Sequence, residues 1–220
     1  MEMEKAMDIK TVSVQTISRL PRYLNYLKAL PKSGLCNISA TTIAEALGLN
    51  DVQVRKDLAA ISDGGRPKIG YVIQELIYDI EHFLGYDNTH TAVLVGAGNL
   101  GSALLSYGGF AEYGLDIVAA FDIHPRLFGE CINGKRVYAM DDMDSICAEN
   151  SIKIGIITVP AAEAQYVCDR LVECGVQAIW NFAPVHLNAP ANILIQNGNM
   201  ACSLALLSKH LSEKLKTPEI

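Results

Sequence analysis

The chain has 220 residues, half of them apolar and 19% charged, with a formal net charge of −6. That length and apolar content suit one large domain or two small ones with a core that needs no disulfide or metal staple, and they exclude a disordered chain. The acidic balance excludes a general nucleic-acid-coating protein, which is normally basic, but not a specific DNA binder. The opening stretch MEMEKAMDIK has no apolar signal core, and runs such as Ile154 to Pro160 are far shorter than the ~20 residues that span a bilayer. A cytoplasmic protein without membrane contact is expected.

Leu20, Tyr23, Leu24 and Leu27 recur at helical spacing and predict a first helix that Pro31 and Gly34 end. Ser39 is a natural N-cap for a second helix through Ile43, Ala44 and Leu47, stopped by Gly48. Asn50 or Asp51 then caps a third helix, DVQVRKDLAAIS. Two helices joined by a tight glycine-containing turn behind a supporting helix form a helix-turn-helix pattern. Asp63 to Tyr71, rich in glycine and holding Pro67, suits a hairpin where a wing would sit. A fourth helix carries Ile73, Leu76, Ile77, Ile80 and Leu84 on one stripe.

On the third helix, Val54, Leu58 and Ile61 fall within about 60° of one another and are expected to pack inward. Gln53, Lys56 and Ala60 cluster opposite, with Arg55 and Ala59 beside them. Hydrogen-bonding and cationic side chains beside small alanines suit a helix that enters the major groove; an ordinary solvated face is the alternative. Local charge favours DNA. Residues 1–86 hold ten Lys/Arg and ten Asp/Glu, whereas the remainder holds 8 and 14, so the whole negative excess lies outside the helix-turn-helix region. Arg55, Lys56, Arg66 and Lys68 gather on the third helix and the wing, against Asp51, Asp57 and Asp63.

Near residue 87 the pattern changes to alternating strands and helices, the mark of a parallel α/β sheet. Thr91 to Val95 is a strand running into Gly96-Ala-Gly98-Asn-Leu-Gly101 and then a helix. In such a turn the first glycine permits the tight bend, the second lets backbone approach a pyrophosphate, and the third permits helix–sheet packing. The pyrophosphate would rest on free N–H groups at the helix start. A second strand, Ile117 to Phe121, ends in Asp122, placed to hold the ribose hydroxyls and to repel a 2′-phosphate. Two more strands, Ile152 to Pro160 and Gln177 to Pro184, bring Thr158, Val159 and Asn181 to the ends that line the nicotinamide half. Asn181 offers a donor and an acceptor to a carboxamide, with a turn role before Pro184 as the alternative.

A dehydrogenase also needs an acid/base group, and no histidine supplies one: His186 is the only one in a plausible place and has no recognisable partner. No substrate domain is expected after the last strand. Ala201 to Lys216 instead predicts an amphipathic helix with Leu204, Leu207, Leu211 and Leu215 on one stripe, suited to its own sheet or to a second subunit. The six cysteines form no C-x-x-C pair and predict buried thiols rather than a metal site. A dinucleotide fold without a substrate domain, joined to a helix-turn-helix, reads as a sensor rather than an enzyme.

Over essentially its whole length the chain resembles the redox-sensing transcriptional repressors called Rex. The resemblance is carried by Ser18-Arg-Leu-Pro-Arg-Tyr-Leu24, Val52-Gln-Val-Arg-Lys-Asp-Leu58, Val95-Gly-Ala-Gly-Asn-Leu-Gly101 and Tyr107-Gly-Gly-Phe110. Val118-Ala-Ala-Phe-Asp122, Val159-Pro-Ala161 with Ala164-Gln165, and Asn181-Phe-Ala-Pro184 complete it. It implies a homodimer on inverted-repeat operator DNA, released when NADH replaces NAD⁺, with a C-terminal helix swapped between subunits. Three departures stand out: a wing reading Arg66-Pro-Lys-Ile-Gly-Tyr71, asparagines at 25 and 199 where many relatives pair Arg with Asp, and Met200 in place of a larger apolar residue.

The expected architecture is therefore α/β, with a winged helix-turn-helix over 1–86 and a Rossmann-like NAD(H)-binding and dimerisation domain over 87–220 that includes a helix at 201–216. The expected DNA-facing residues are Ser39, Thr41, Gln53, Arg55, Lys56, Arg66 and Lys68. Gly96, Ala97, Gly98, Asn99, Leu100 and Gly101 are expected at the dinucleotide, with Asp122, Ile123, Thr158, Val159, Pro160 and Asn181. Asn25, Tyr107, Asn199 and Met200 are expected at the interface or switch, and no metal is expected. A small NAD-dependent oxidoreductase and a redox-insensitive DNA-binding relative are the alternatives.

Overall fold

A computed structural model describes residues 12–31, 36–198 and 200–216, and the chain divides after Asn88 into two compact units. Gly34 and Asn199 lie outside the described residues.

In the first unit, α1 (Val14–Ala29), α2 (Ala40–Leu47), α3 (Asp51–Ile61) and α4 (Ile73–Leu84) pack around Leu20, Tyr23, Leu24, Ile43, Leu58 and Ile80. The capping residues explain the boundaries. Ser39 Oγ accepts the Thr42 N–H at 3.0 Å, Asn50 Oδ1 accepts the Gln53 N–H at 3.1 Å, and Gly48 ends α2 at φ 63°. Only three residues, 48–50, separate the end of α2 from the start of α3, so the tight turn of a helix-turn-helix is in place.

The expected hairpin over 63–71 takes a different form. The two short strands are β1 (Asn37–Ile38), before α2, and β2 (Tyr71–Val72), paired antiparallel. Residues 66–70 form a tight turn closed by Arg66 N–H to Gly70 O and Gly70 N–H to Arg66 O, both 2.9 Å. Pro67 fixes the turn's second position and Lys68 takes φ 66°, the arrangement of a type II turn with lysine where glycine is favoured. Gly70 lies against the Ile38 carbonyl, leaving no room for a side chain.

The second unit is a seven-stranded sheet. Its strands are β3 (His90–Val95), β4 (Leu115–Asp122), β5 (Cys131–Ile132), β6 (Lys135–Ala139), β7 (Ile154–Ile157), β8 (Ala178–Asn181) and β9 (Leu194–Asn197). Its helices are α5 (Asn99–Ser106), α6 (Met143–Asn150), α7 (Ala161–Glu173) and α8 (Met200–Lys216). The order β5-β6-β4-β3-β7-β8-β9 is parallel except for the β5–β6 pair, and from β6 onward it is the doubly wound order of dinucleotide-binding sheets. Both faces are covered, one by Met143, Cys147, Val167 and Leu171 and the other by Leu105 with Ala92, Leu94 and Ile156, so the central strands read as continuous apolar runs. The chain direction reverses its winding between β3 and β7, where ligands bind such sheets. Val95 pairs with Phe121 and Ile157, and Ile157 with Asn181, so these strands end together on one edge.

β9 was not expected: only one of its four residues is even half-buried among exposed neighbours, a weak strand signal that pairing with β8 overrides. On α8 no residue is buried, and Leu204, Leu207, Leu211 and Leu215 stand 53–77% exposed. Cys36, Cys131 and Cys202 are also exposed, against the expectation of buried thiols, while Cys147 and Cys168 are buried. Among the described residues no helix is long and apolar enough to cross a membrane, and no side-chain cluster fits a metal ion.

Candidate functional site

On α3 the inward residues are Val54, Asp57, Leu58 and Ile61, and the exposed ones are Val52, Gln53, Arg55, Lys56 and Ala59. Ala60, expected outward, is half-buried against the core. Arg55 pairs with Asp51 at 3.2 Å, one turn earlier on the same helix. Ser39 serves as the cap of α2 and is half-buried, and Thr41 is exposed beside it. Arg66 and Lys68 are exposed at the tight turn.

Asp57, an acid set against the cations of α3 and the turn, is 4% exposed. Its carboxylate accepts Arg19 Nε at 2.7 Å and Nη2 at 2.8 Å, the Tyr23 hydroxyl at 2.7 Å and the Thr16 hydroxyl at 3.0 Å. Burial pushes the carboxyl up, but the hydrogen bonds from Arg19, Tyr23 and Thr16 outweigh it and hold Asp57 below the usual carboxylate range. Burial, with Asp57 next, pushes the Tyr23 phenol up to about 12. The anion therefore subtracts nothing from the cationic face of α3. It fastens α3 to α1 beside a groove of about 450 Å³ lined by Thr16, Arg19, Asn50, Val52, Gln53, Lys56 and Asp57. Arg19 was missing from the expected set. The signal for it was Asp57 on the 54/57/58/61 stripe, where a carboxylate requires a cationic partner.

At the sheet edge, three glycines do three different things. Gly96 has φ 100°, and a Cβ there would come within 2.9 Å of the Thr158 backbone and Val159 Cγ1. A Cβ on Gly101 would collide with the Gly96 carbonyl. Gly98 is exposed, has φ −68°, and a Cβ on it would meet nothing within 4 Å. Fold and backbone thus account for Gly96 and Gly101, whereas at Gly98 the chain supplies no steric reason for glycine. A pyrophosphate pressed against the backbone at the start of α5 supplies one, so the residues fit a dinucleotide. Asn99 is exposed and Leu100 half-buried on the first turn of α5.

The surrounding residues brace this turn. Asp122 is 8% exposed, and its two oxygens accept the Ala97 and His124 N–H groups, each at 2.8 Å. A carboxylate oxygen has a second lone pair, so these bonds leave acceptor capacity for a ribose hydroxyl while fixing where it points. Thr158 Oγ1 lies 2.9 Å from Val95 O and 2.7 Å from Gly96 O, tying the neighbouring strand tip to the glycine turn. Val159 is half-buried beside Gly96, and Pro160 and Ile123 are exposed. Asn181 differs from its expected carboxamide-binding role. It is 1% exposed, its Oδ1 accepts the Ala183 N–H at 2.9 Å, and Nδ2 lies 3.0 Å from Val185 O and 2.9 Å from Asn197 Oδ1. Its amide orders the loop after β8, the turn role left open by the sequence. Gln165 on α7 clamps the same loop through both backbone groups of Asn188, at 2.8 and 2.9 Å.

Of the residues expected at the interface or switch, Asn25 is exposed on α1 and Met200 is exposed at the start of α8. Tyr107, 51% exposed, meets Phe110 edge-on at 4.9 Å, and Phe110 in turn meets Trp180 at 5.8 Å.

Residues 87–185 match the protein-family model described as "CoA binding domain", and residues 11–59 match "Putative DNA-binding protein N-terminus". The redox-sensing transcriptional repressor Rex of Bacteroides thetaiotaomicron is 38% identical over 205 residues, covering 93% of each chain. The crystal structure of RSP in complex with β-NAD⁺ and operator DNA matches with a TM-score of 0.85 at 38% identity, over 92% of this chain and 94% of that one. RSP in complex with β-NADH matches with a TM-score of 0.83 at 38% identity, over 93% and 96%.

Proposed function

The chain belongs to the Rex family of redox-sensing transcriptional repressors, and from that premise we propose that it binds an inverted-repeat operator as a homodimer and leaves it when NADH replaces NAD⁺. The observation that carries the reading is one chain holding both an outward-facing polar helix, α3, and a glycine turn in which Gly98 answers to no neighbour in the protein. The 1–86 region is the DNA-binding domain and 87–220 the NAD(H)-binding and dimerisation domain, acting in the cytoplasm.

Gln53, Arg55 and Lys56 face the major groove, with Ser39 and Thr41 near the backbone and Arg66 and Lys68 at the flanking minor groove. Gly98 and the first turn of α5 receive the pyrophosphate, and Asp122 holds the adenosine ribose and disfavours a 2′-phosphate. Thr158 and the loop ordered by Asn181 line the nicotinamide end. When bound, the cofactor supplies a ring that is cationic when oxidised and neutral when reduced. The apolar stripe of α8 supports docking onto a second copy of the chain, with the helix exchanged between subunits. Two subunits whose separation depends on the bound nucleotide present their α3 helices at the operator spacing in one state only.

Gel shifts on the promoter of the protein's own gene, with NAD⁺ and NADH titrated separately, test the proposal. Release by NADH at concentrations where NAD⁺ leaves the complex intact is the expected result. Operator binding that ignores both nucleotides would favour the redox-insensitive reading, which the uncharged Asn25 supports.

A further inference from the structure

We infer that the groove between α1 and α3 seats one backbone phosphate of bound DNA, with Arg19 and Lys56 as its ligands and Asp57 as the group that aims Arg19. This rests on the DNA-binding reading above. A guanidinium is a planar fork of five N–H donors, and Asp57 occupies one edge of it through Nε at 2.7 Å and Nη2 at 2.8 Å. Fixing that edge fixes the plane, so the Nη1 edge points away from the carboxylate. The Arg19 side chain keeps 17% of its surface accessible, in the groove that it shares with Lys56 and Gln53. Nη2 also reaches Thr16 Oγ1 at 3.4 Å, so the pre-oriented donors left for a phosphate are the two N–H groups of Nη1.

The charges around the groove agree. Arg19 and Asp57 offset each other, so Arg19 contributes directed donors and Lys56 contributes the net positive charge. Asp51, the other acid at this end of α3, is paired with Arg55 at 3.2 Å. Exposed Asn50 adds an uncharged polar group to the rim, while the Thr16 hydroxyl is already engaged with Asp57 and Arg19. A phosphate contact reads no sequence but sets register. One held by groups from both helices fixes the angle at which α3 meets the duplex, because Asp57 already joins them.

The test uses operators carrying one neutral methylphosphonate at a time, bound by the wild-type protein and by Arg19→Lys. Lysine keeps a cation for Asp57 but has no second donor edge. Wild-type affinity is expected to fall about tenfold at one backbone position per half-site, the effect of one charged hydrogen-bonding contact. Arg19→Lys is expected to weaken operator and scrambled DNA by a similar factor and to lose its sensitivity at that position. Equal sensitivity of both proteins at every position overturns the seat. So does an Arg19→Lys protein that weakens on operator but not on scrambled DNA, since Arg19 then acts only through the aim of α3. Should Arg19→Lys fail to fold, Lys56→Gln on the exposed face takes its place and must lose sensitivity at the same position. A wild-type protein that binds no operator overturns the repressor reading itself, a result distinct from either failure of the seat.

Discussion

Replacing Gly98 with alanine separates a glycine kept for a ligand from glycines kept for the fold. At Gly98 a Cβ meets nothing within 4 Å, and φ −68° suits any L-residue. Removing glycine's extra freedom in the unfolded chain stabilises by about 0.4–1 kcal/mol at such a site. Gly98 is also the N-cap of α5, where alanine is a poorer choice by several tenths of a kcal/mol or more. The two effects oppose each other, so Gly98→Ala should leave stability within about 0.5 kcal/mol of wild type. Gly101→Ala must push against the Gly96 carbonyl and, at 3.0 Å, Leu94 Cδ2, an overpacking worth roughly 1–3 kcal/mol. Gly96→Ala adds a φ of 100° to contacts at 2.9 Å and should cost at least as much. Urea melts read by Trp180, the single tryptophan, which lies on β8, measure all three. NADH titrations on the folded variants should show Gly98→Ala binding more than tenfold weaker, a loss above about 1.4 kcal/mol. A Gly98→Ala protein that binds NADH like wild type, or that destabilises as much as Gly101→Ala, would mean that Gly98 is not kept for a ligand.

Asp57→Ala removes the common acceptor of Arg19, Tyr23 and Thr16 and should destabilise the first unit by about 3–5 kcal/mol, read as faster hydrogen exchange in α1 and α3. Because the folded Asp57 carboxyl lies below its unfolded value near 3.9, its contribution is complete above that pH and is lost as pH falls through the folded value. The wild-type acid transition should therefore steepen below about pH 4, and Asp57→Ala should lack that component. Asp122→Ala strands the buried Ala97 N–H, a loss of about 1.5–3 kcal/mol, and should weaken NADH while narrowing its preference over NADPH. Unchanged titrations with both nucleotides would remove Asp122 from the site. Leu207→Asp combined with Leu211→Asp puts charge on the exposed stripe of α8 and should sediment as a monomer, whereas wild type is expected to sediment as a dimer; a dimeric variant would place the interface elsewhere.

Local signals carried much of the fold. The caps at Ser39 and Asn50, the αL glycine at 48 and the apolar strand before Gly96 each depend on neighbours a few residues away, and sequence displays those directly. What escaped depends on distant partners. In the sequence Asp57 is an anion opposing the cations of α3, because its partners lie 34–41 residues earlier. The wing's strand pairs with Asn37–Ile38 on the far side of two helices, so a hairpin was expected where the chain makes a closed turn. Asn181 looked like a ligand group at a strand tip, but Asn197, on a strand the sequence did not reveal, takes part of its amide. The net charge of −6 is also unevenly placed. The acid excess lies outside residues 1–86, and one of the acids inside that region is buried against Arg19, leaving the outward face of α3 more cationic than its composition suggests.

If nucleotide and operator report to each other through one protein, thermodynamic linkage makes that coupling directly measurable. Operator affinity is measured with and without saturating NADH, and NADH affinity with and without saturating operator, under the same salt and pH. If NADH weakens operator binding by a factor between about 5 and 150, operator must weaken NADH binding by that same factor. Equal factors in the two directions are the predicted result. An NADH affinity that operator leaves unchanged would contradict that coupling.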